Sequence, residues 1–159
     1  MFQDIPTMDD FDFKGKTALV RIDVNSPIDP KTGDILDDRR FKSHKETINE
    51  LIGKKAKIVL IAHQGRPGDA DFTTLEEHAR WLSDVTGKKV RYVDSIFSSY
   101  AGSEIKKLGE GEILLLENVR FYSEEVITRP PDAQAKTFIV QKLKDVVDIY
   151  VDDAFATAH

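Results

Sequence analysis

Four short apolar stretches divide the chain, and each has the length of a β-strand. They are mostly unbroken runs of Ile, Val and Leu, which is typical of strands covered on both faces. The four stretches are Thr17–Val20, Ile58–Ala62, Ile113–Leu116 and Val146–Val151, the last interrupted by Asp148. Val90–Val93 is a candidate for a further short strand. The pattern therefore predicts a mainly parallel sheet.

Segments with helical spacing lie between these strands. Apolar residues recur every three or four positions in Ser43–Lys55. Thr74 followed by Glu77 forms a capping-box pattern that predicts the start of a second helix, and Gly87 predicts its end. Two prolines precede a third predicted helix, Asp132–Lys144. The alternation predicts a doubly wound α/β domain of three layers, Rossmann-like, with helices on both faces of the sheet.

The alternation is incomplete at its C-terminal end. The last strand candidate runs into the polar segment Asp152–His159, and no helix follows to cover it. Because a buried strand needs a covering layer, we expect the natural domain to extend further and interpret the chain as a piece of a longer protein.

Composition and charge restrict the partners of the chain. It has 159 residues, of which 23 are Lys or Arg and 28 are Asp or Glu, giving a formal net charge of -5. This balance argues against a general nucleic-acid or membrane surface, and no apolar run approaches the roughly 20 residues of a bilayer span. Met1–Phe13 lacks the apolar core of a signal peptide, and the chain has no cysteine. We expect a cytoplasmic protein without disulfides or thiolate zinc sites.

Polar residues follow each of the four main strand candidates. They are Asp23, Asn25 and Ser26 after the first, His63–Gly68 after the second, Glu117, Asn118 and Arg120 after the third, and Asp152, Asp153 and His159 after the last. In open α/β sheets, ligands bind outside the carboxyl ends of the strands, where these loops meet. The sequence therefore predicts one shared site.

The residue types at these ends indicate the ligand. Arg66 and Arg120, together with His63, suit an oxyanion, because guanidinium groups match phosphate or carboxylate oxygens in pairs. Asp23 and Asn25 suit hydroxyl groups, since a carboxylate beside a phosphate would repel it. A small phosphorylated hydroxy acid fits this set best.

Three of these residues also have ordinary structural interpretations. Asp23 and Asn25 could cap a loop, because short polar side chains often bond to nearby backbone in turns. His63 at the end of a strand could be a buried histidine with a purely structural role.

The arginines have structural interpretations as well. Arg66 lies in a Gly-Arg-Pro-Gly turn and could be its solvated tip, and Arg120 could lie over the aromatic surface of the next residue. By themselves, Arg39 and Arg40 are typical of a solvated charged face.

Several other enzyme classes lack their motifs here. No GxGxxG follows a strand and no GxxxxGK[ST] occurs, so no nucleotide site is predicted. Asn25 stands where a phosphatase of the haloacid-dehalogenase type would need a second aspartate after Asp23. His63, His159 and Asp152 lack the close ligand pairs of a zinc site, and we predict no metal ligand.

Five segments resemble, in order and spacing, the motifs of the phosphoglycerate kinase family. They are Arg21–Pro27, Asp38–Phe41, Ala62–Pro67, Leu115–Phe121 and Tyr150–His159. The resemblance covers nearly the whole chain. It implies that residues 1–159 form the N-terminal domain, which binds 3-phosphoglycerate, of a two-domain kinase whose C-terminal nucleotide domain is absent. Gln64, Asp152 and Ala156 depart from the common pattern and indicate an archaeal-type branch.

The family's reaction is reversible phosphoryl transfer between 1,3-bisphosphoglycerate and ADP, giving 3-phosphoglycerate and ATP in glycolysis and gluconeogenesis. The resemblance implies Mg²⁺ with ATP or ADP, held mainly by the absent domain, and a fragment that is inactive alone. It also implies a role for each matching residue: Asp23 and Asn25 fix the hydroxyl and carboxyl end of the substrate, His63, Arg66 and Arg120 hold the phosphate that is not transferred, and Arg40 is catalytic, stabilising the phosphoryl group in flight. A free-standing, non-catalytic binding domain for small phosphorylated acids is the alternative.

Overall fold

A five-stranded parallel sheet forms the centre of the computed structural model, which describes residues 5–158. The strands are β1 Thr17–Arg21, β2 Lys57–Ile61, β3 Val90–Val93, β4 Ile113–Leu116 and β5 Ile149–Asp152. Their order across the sheet is β3-β4-β2-β1-β5, and every pairing is parallel. The predicted parallel sheet is confirmed, including its fifth strand.

Helices cover both faces of this sheet, as predicted. They are α1 Arg39–Ser43, α2 Lys45–Gly53, α3 Glu76–Thr86, α4 Ser99–Lys106, α5 Pro131–Gln134 and α6 Phe138–Leu143. Side chains of α1, α2 and α3 share one buried cluster with Val20 and Leu60, whereas α4 and α6 share another with Leu19 and Val59. Because neighbouring strand residues point to opposite faces, the two clusters are the two cores of a three-layer, doubly wound domain. None of the helices in residues 5–158 is long and apolar enough to cross a membrane.

The second predicted helix, α3, begins with a different capping contact from the one that the sequence predicted. The N-cap of α3 is Leu75, and it makes no side-chain capping bond, so the Thr74–Glu77 box does not form. Instead, the Leu75 N–H donates to Oε1 of Glu117 at 3.0 Å, in the loop after β4. A carboxylate from a distant loop replaces the local cap. The predicted end is confirmed, since Gly87 follows α3 with a φ of 67°.

Two other helix predictions need correction. The predicted Ser43–Lys55 helix begins only after His44, because His44 separates α2 from the short helix α1. The predicted Asp132–Lys144 helix is two short helices, since the chain is extended at Thr137, whose hydroxyl bonds to the Gln134 carbonyl at 2.7 Å.

Strand β5 is not buried on both faces, contrary to the sequence prediction. It lies at the edge of the sheet and pairs with β1. Ile149 and Val151 pack against the core, whereas Tyr150 has 58% of its surface exposed. The alternation of buried and exposed residues is typical of an edge strand with one covered face.

Candidate functional site

The loops after β1, β2 and β4 meet at the peptide groups of Gly65. Its N–H donates to Oδ1 of Asn25 at 2.9 Å, and its carbonyl accepts a hydrogen bond from Nη1 of Arg120 at 3.1 Å. Gly65 has a φ of 68°, and an added Cβ would lie only 2.7 Å from the backbone nitrogen of Phe72. The residue must therefore be glycine for the loops to approach this closely.

Asp23 and Arg40 form an ion pair at the end of β1. Nη1 of Arg40 donates to Oδ2 of Asp23, whose side chain is nearly buried, while half of the Arg40 side chain remains exposed. The side chain of the neighbouring Arg39 is 87% exposed and pairs with Asp37. Of the two arginines, only Arg40 pairs with Asp23, and the sequence did not predict this ion pair.

His63 lies buried among positive charges, with 4% of its surface exposed. Its Nδ1 is 3.3 Å from Nη2 of Arg21. Burial, followed by the charges of Arg120 and Arg21, lowers the pKa of His63 to about 4. The imidazole is therefore neutral at pH 7, and a neutral ring N–H can still donate a hydrogen bond.

Four arginines line one open cleft of about 890 Å³. They are Arg21, Arg66, Arg120 and Arg129, and the lining also includes Glu125, Tyr150 and Asp152. Burial and the charges of Arg21 and Arg66 lower the pKa of Arg120. This crowding means that the arginines repel one another, so an anion bound among them is favoured.

The other predicted site residues lie beside this cleft. Asn25 and Arg40 line a second depression of about 560 Å³, together with Asp37, Arg39 and Asp71. Four of the six predicted ligands thus line two depressions, Asn25 and Arg40 in one and Arg66 and Arg120 in the other. The contacts of Asn25 and Arg120 with Gly65 connect the two depressions. Asp23 and Asn25 do not continue β1, which ends at Arg21; instead the Asn25 N–H donates to Asp23 Oδ1 at 3.2 Å.

Two residues after β4 turn inward and do not face the site. The Asn118 amide donates to the carbonyls of Gln64 and Thr73, and its oxygen accepts the N–H of Arg120. Glu117 accepts hydrogen bonds from Leu75 and from its own neighbour, Asn118. Both side chains therefore hold the surrounding loops in place, and Asn118 fixes the backbone of Arg120.

The residues that follow β5 contribute less directly to the site than the sequence predicted. Asp153 bonds to Nδ1 of His44 at 2.7 Å, and Nε2 of the same ring lies 3.0 Å from the backbone nitrogen of Asp23. Asp152 accepts the N–H of Ala154 and lines the arginine cleft. The prediction for His159 falls outside the described residues.

Sequence reasoning assigned no role to Arg21 or His44. Arg21 is a buried charge at the end of an apolar strand, and this mismatch was the available signal. Its ion pair with Glu125 at 2.8 Å joins residues 104 positions apart. His44 gave no signal, because its contacts with Asp23 and Asp153 depend on the tertiary fold.

Gln64, which departs from the common family pattern, joins the loops after β1 and β2. Its oxygen accepts the backbone N–H of Ser26 and its nitrogen donates to the Ser26 carbonyl, both at 3.0 Å. Burial lowers the pKa of His78 to about 4, so its neutral ring donates from Nε2 to the same Gln64 oxygen at 2.9 Å. The buried amide is therefore satisfied by a fixed set of partners.

Comparison with known proteins agrees with the resemblance noted in the sequence. A family model described as phosphoglycerate kinase matches residues 8–159. The phosphoglycerate kinase of Sulfurisphaera tokodaii is 56% identical over 98% of this chain, and that of Methanothermobacter thermautotrophicus is 57% identical over 96%. Both organisms are archaea, in agreement with the branch that the sequence indicated. The chain spans 37% of the length of each of these relatives.

Solved structures agree as well. The phosphoglycerate kinase of Pyrococcus horikoshii superposes on 96% of this chain with a TM-score of 0.92 and 48% identity, and 37% of that structure is covered. The enzyme of Coxiella burnetii superposes with a TM-score of 0.72 and 29% identity, over 96% of this chain and 36% of its own. Sequence, strand-end geometry and fold thus agree, and the chain belongs to the phosphoglycerate kinase family.

Proposed function

We propose that this chain binds the phosphorylated acid substrate of phosphoglycerate kinase, either 3-phosphoglycerate or 1,3-bisphosphoglycerate. The observation that carries the proposal is the crowding of Arg21, Arg66 and Arg120 in one cleft of a chain whose net charge is -5. Positive charges held close together repel one another in the absence of an anion, so such a cluster is typical of an anion-binding site.

The phosphate that is not transferred binds between Arg66 and Arg120, with His63 as a further donor. Guanidinium groups supply paired N–H donors that match phosphate oxygens. The hydroxyl and carboxyl end of the acid lies toward Asn25 and Asp23, across the Gly65 peptide. This orientation directs the phosphoryl group toward Arg40, the half-exposed arginine that Asp23 holds.

In the complete enzyme, Arg40 neutralises negative charge on the phosphoryl group during its transfer to ADP. Phosphoryl transfer requires little covalent chemistry from the protein, so alignment and charge neutralisation provide most of the catalysis. The nucleotide comes from a second domain outside these residues, and closure of the two domains excludes water.

The residues described here do not fit a metal ion. Among residues 5–158, no three His, Asp or Glu side chains come together in a group that could hold one. We therefore assign no step to Mg²⁺ in this domain; bound with the nucleotide, the ion would neutralise phosphate charge.

Calorimetric titration with 3-phosphoglycerate tests the substrate assignment, with glycerate as the matched ligand that lacks the phosphate. Arg120→Ala should weaken binding of 3-phosphoglycerate by about 1.5–3 kcal/mol, the usual contribution of a hydrogen bond to a charged group. Arg80→Ala is the matched control, because it removes an equal charge from an exposed arginine of α3 that lines neither depression and pairs with Glu77. It should leave the affinity nearly unchanged, and equal losses in both variants would refute the site.

A coupled ATP assay separates the domain from the whole enzyme. We expect no turnover by the chain alone, because it carries no nucleotide motif. Turnover on the order of 1–100 per second, as for ordinary kinases, would contradict the proposed division of labour.

A further inference from the structure

The contact between Arg21 and His63 determines which ring nitrogen carries the proton. Nη2 of Arg21 lies 3.3 Å from Nδ1 of His63, and both side chains are buried. A guanidinium group has only N–H donors and does not deprotonate in proteins, so it cannot accept a hydrogen bond. Nδ1 must therefore be the acceptor and carry no proton. The single proton of a neutral ring then lies on Nε2.

We propose that Arg21 is a positioning residue that holds His63 in its Nε2–H tautomer, so that His63 presents a neutral N–H donor to the phosphorylated acid. The identity of the ligand in this inference rests on the proposed function, whereas the tautomer of His63 does not. In the described part of the chain, the hydrogen bonds of His63 involve Nδ1 alone, which leaves Nε2 for a ligand.

Arg21 is itself held in place by a carboxylate. Nη1 of Arg21 donates to Oε1 of Glu125 at 2.8 Å, while Nη2 faces His63. The two ends of one planar guanidinium thus have separate partners, and the fork geometry fixes the direction of the donor toward the imidazole. Glu125 lies in the short 3₁₀ turn Ser123–Val126, so this turn orients a residue at the end of β1.

The surrounding charges favour a neutral ring. Arg21, Arg40 and Arg120 face His63 and oppose its protonation, whereas Asp23 favours it. With burial added, the pKa of His63 falls to about 4. The ring therefore keeps the same single proton between pH 5.5 and 8, and its hydrogen bond to a ligand does not change over that range.

Nitrogen-15 NMR of the histidine rings tests the tautomer in the chain without ligand. We expect His63 Nδ1 to resonate as an unprotonated nitrogen and Nε2 as a protonated one, with both signals constant from pH 5.5 to 8. An Nδ1–H tautomer, a signal averaged over both tautomers, or a cationic ring in this range would overturn the inference.

The variant Arg21→Met tests whether Arg21 sets that tautomer. It should average the two nitrogen signals of His63 and weaken binding of 3-phosphoglycerate about tenfold or more. Arg129→Met is the matched control, because Arg129 lines the same cleft but pairs with Glu124. It should leave the tautomer unchanged. Weaker binding in Arg21→Met with an unchanged tautomer would show that Arg21 does not act through His63.

Two replacements of His63 keep the test decisive if Arg21→Met does not fold. The amide nitrogen of glutamine extends to the place of Nε2, whereas that of asparagine reaches only the place of Nδ1. His63→Gln should therefore retain more affinity for 3-phosphoglycerate than His63→Asn, and the opposite order would overturn the inference. If the Nε2–H tautomer is observed but 3-phosphoglycerate does not bind, the proposed function fails and the tautomer assignment stands.

Discussion

Replacing Gly65 with alanine should damage the fold and the site together. Gly65 has a φ of 68°, in the left-handed region, and lies against the backbone of Asp71 and Phe72. Its N–H and carbonyl also bond to Asn25 and Arg120. A shift of this one residue therefore displaces two predicted ligand side chains.

The expected magnitude has two parts. A left-handed conformation costs a residue with a Cβ about 1–2 kcal/mol. The new methyl group would also lie 2.7 Å from the Phe72 nitrogen and 2.8 Å from the Asp71 carbonyl carbon. Backbone cannot move aside as a flexible side chain can, so relief of the overlap should cost about a further 1–3 kcal/mol. We expect a total loss of about 2–5 kcal/mol in the free energy of unfolding.

Gly87→Ala is the matched control. Gly87 has nearly the same φ, 67°, but an added Cβ there meets nothing within 4 Å. It should therefore show the conformational cost alone. Urea denaturation measures both stabilities, and calorimetry measures binding of 3-phosphoglycerate, which should weaken in Gly65→Ala but not in Gly87→Ala. Equal losses of stability in the two variants would show that an added Cβ at position 65 does not clash with the backbone of Asp71 and Phe72. Unchanged binding in Gly65→Ala would show that Gly65 does not position Asn25 and Arg120 for the ligand.

Three further predictions concern other parts of the molecule. In the complete enzyme, Arg40→Ala should lower kcat about 10³-fold or more with little change in KM, as measured by steady-state kinetics; a raised KM with normal kcat would move Arg40 into ground-state binding. His78 has a pKa of about 4 against 6.5 in an unfolded chain, so the unfolded state binds more protons and stability should fall as the pH drops from 6.5 to 4, by about 3 kcal/mol from this group. Urea denaturation should show that His78→Gln reduces this decline, and an unchanged pH dependence would contradict it. Tyr92→Phe should cost about 1–3 kcal/mol of stability, because the buried Glu117 carboxylate loses the Tyr92 hydroxyl donor; thermal unfolding of this variant at an unchanged temperature would count against that reasoning.

The strands could be predicted because their signal is local. Continuous apolar runs such as Ile113–Leu116 are buried on both faces, and burial on both faces requires such runs. The cap of α3 could not be predicted, because the Thr74–Glu77 pattern competes with Glu117, which is 42 residues from Leu75. Local patterns identify the elements, whereas the contacts between loops depend on how those elements pack.

The same distinction applies to the candidate site. Arg66 and Arg120 follow strands directly, so their approach to one cleft follows from the topology of a parallel sheet. The contacts of Arg21 with Glu125 and of His44 with Asp153 join residues more than 100 positions apart. Nothing in the spacing of either pair specifies them, and they become visible only in the folded chain.

The Asp23 carboxylate competes with any bound anion for the guanidinium group of Arg40. The Asp23 carboxylate already occupies the guanidinium in the way that a ligand's carboxylate or phosphate would. An anion that displaces Asp23 gains only the difference between the two pairings, so Arg40 adds little to the affinity for any anion before phosphoryl transfer. Affinity must then come from the arginines that are free of such a partner within residues 5–158, Arg66 and Arg120, of which the proposed ligand engages both. Under the proposed function, selectivity for a multiply charged molecule thus follows from a contact made when no ligand is bound.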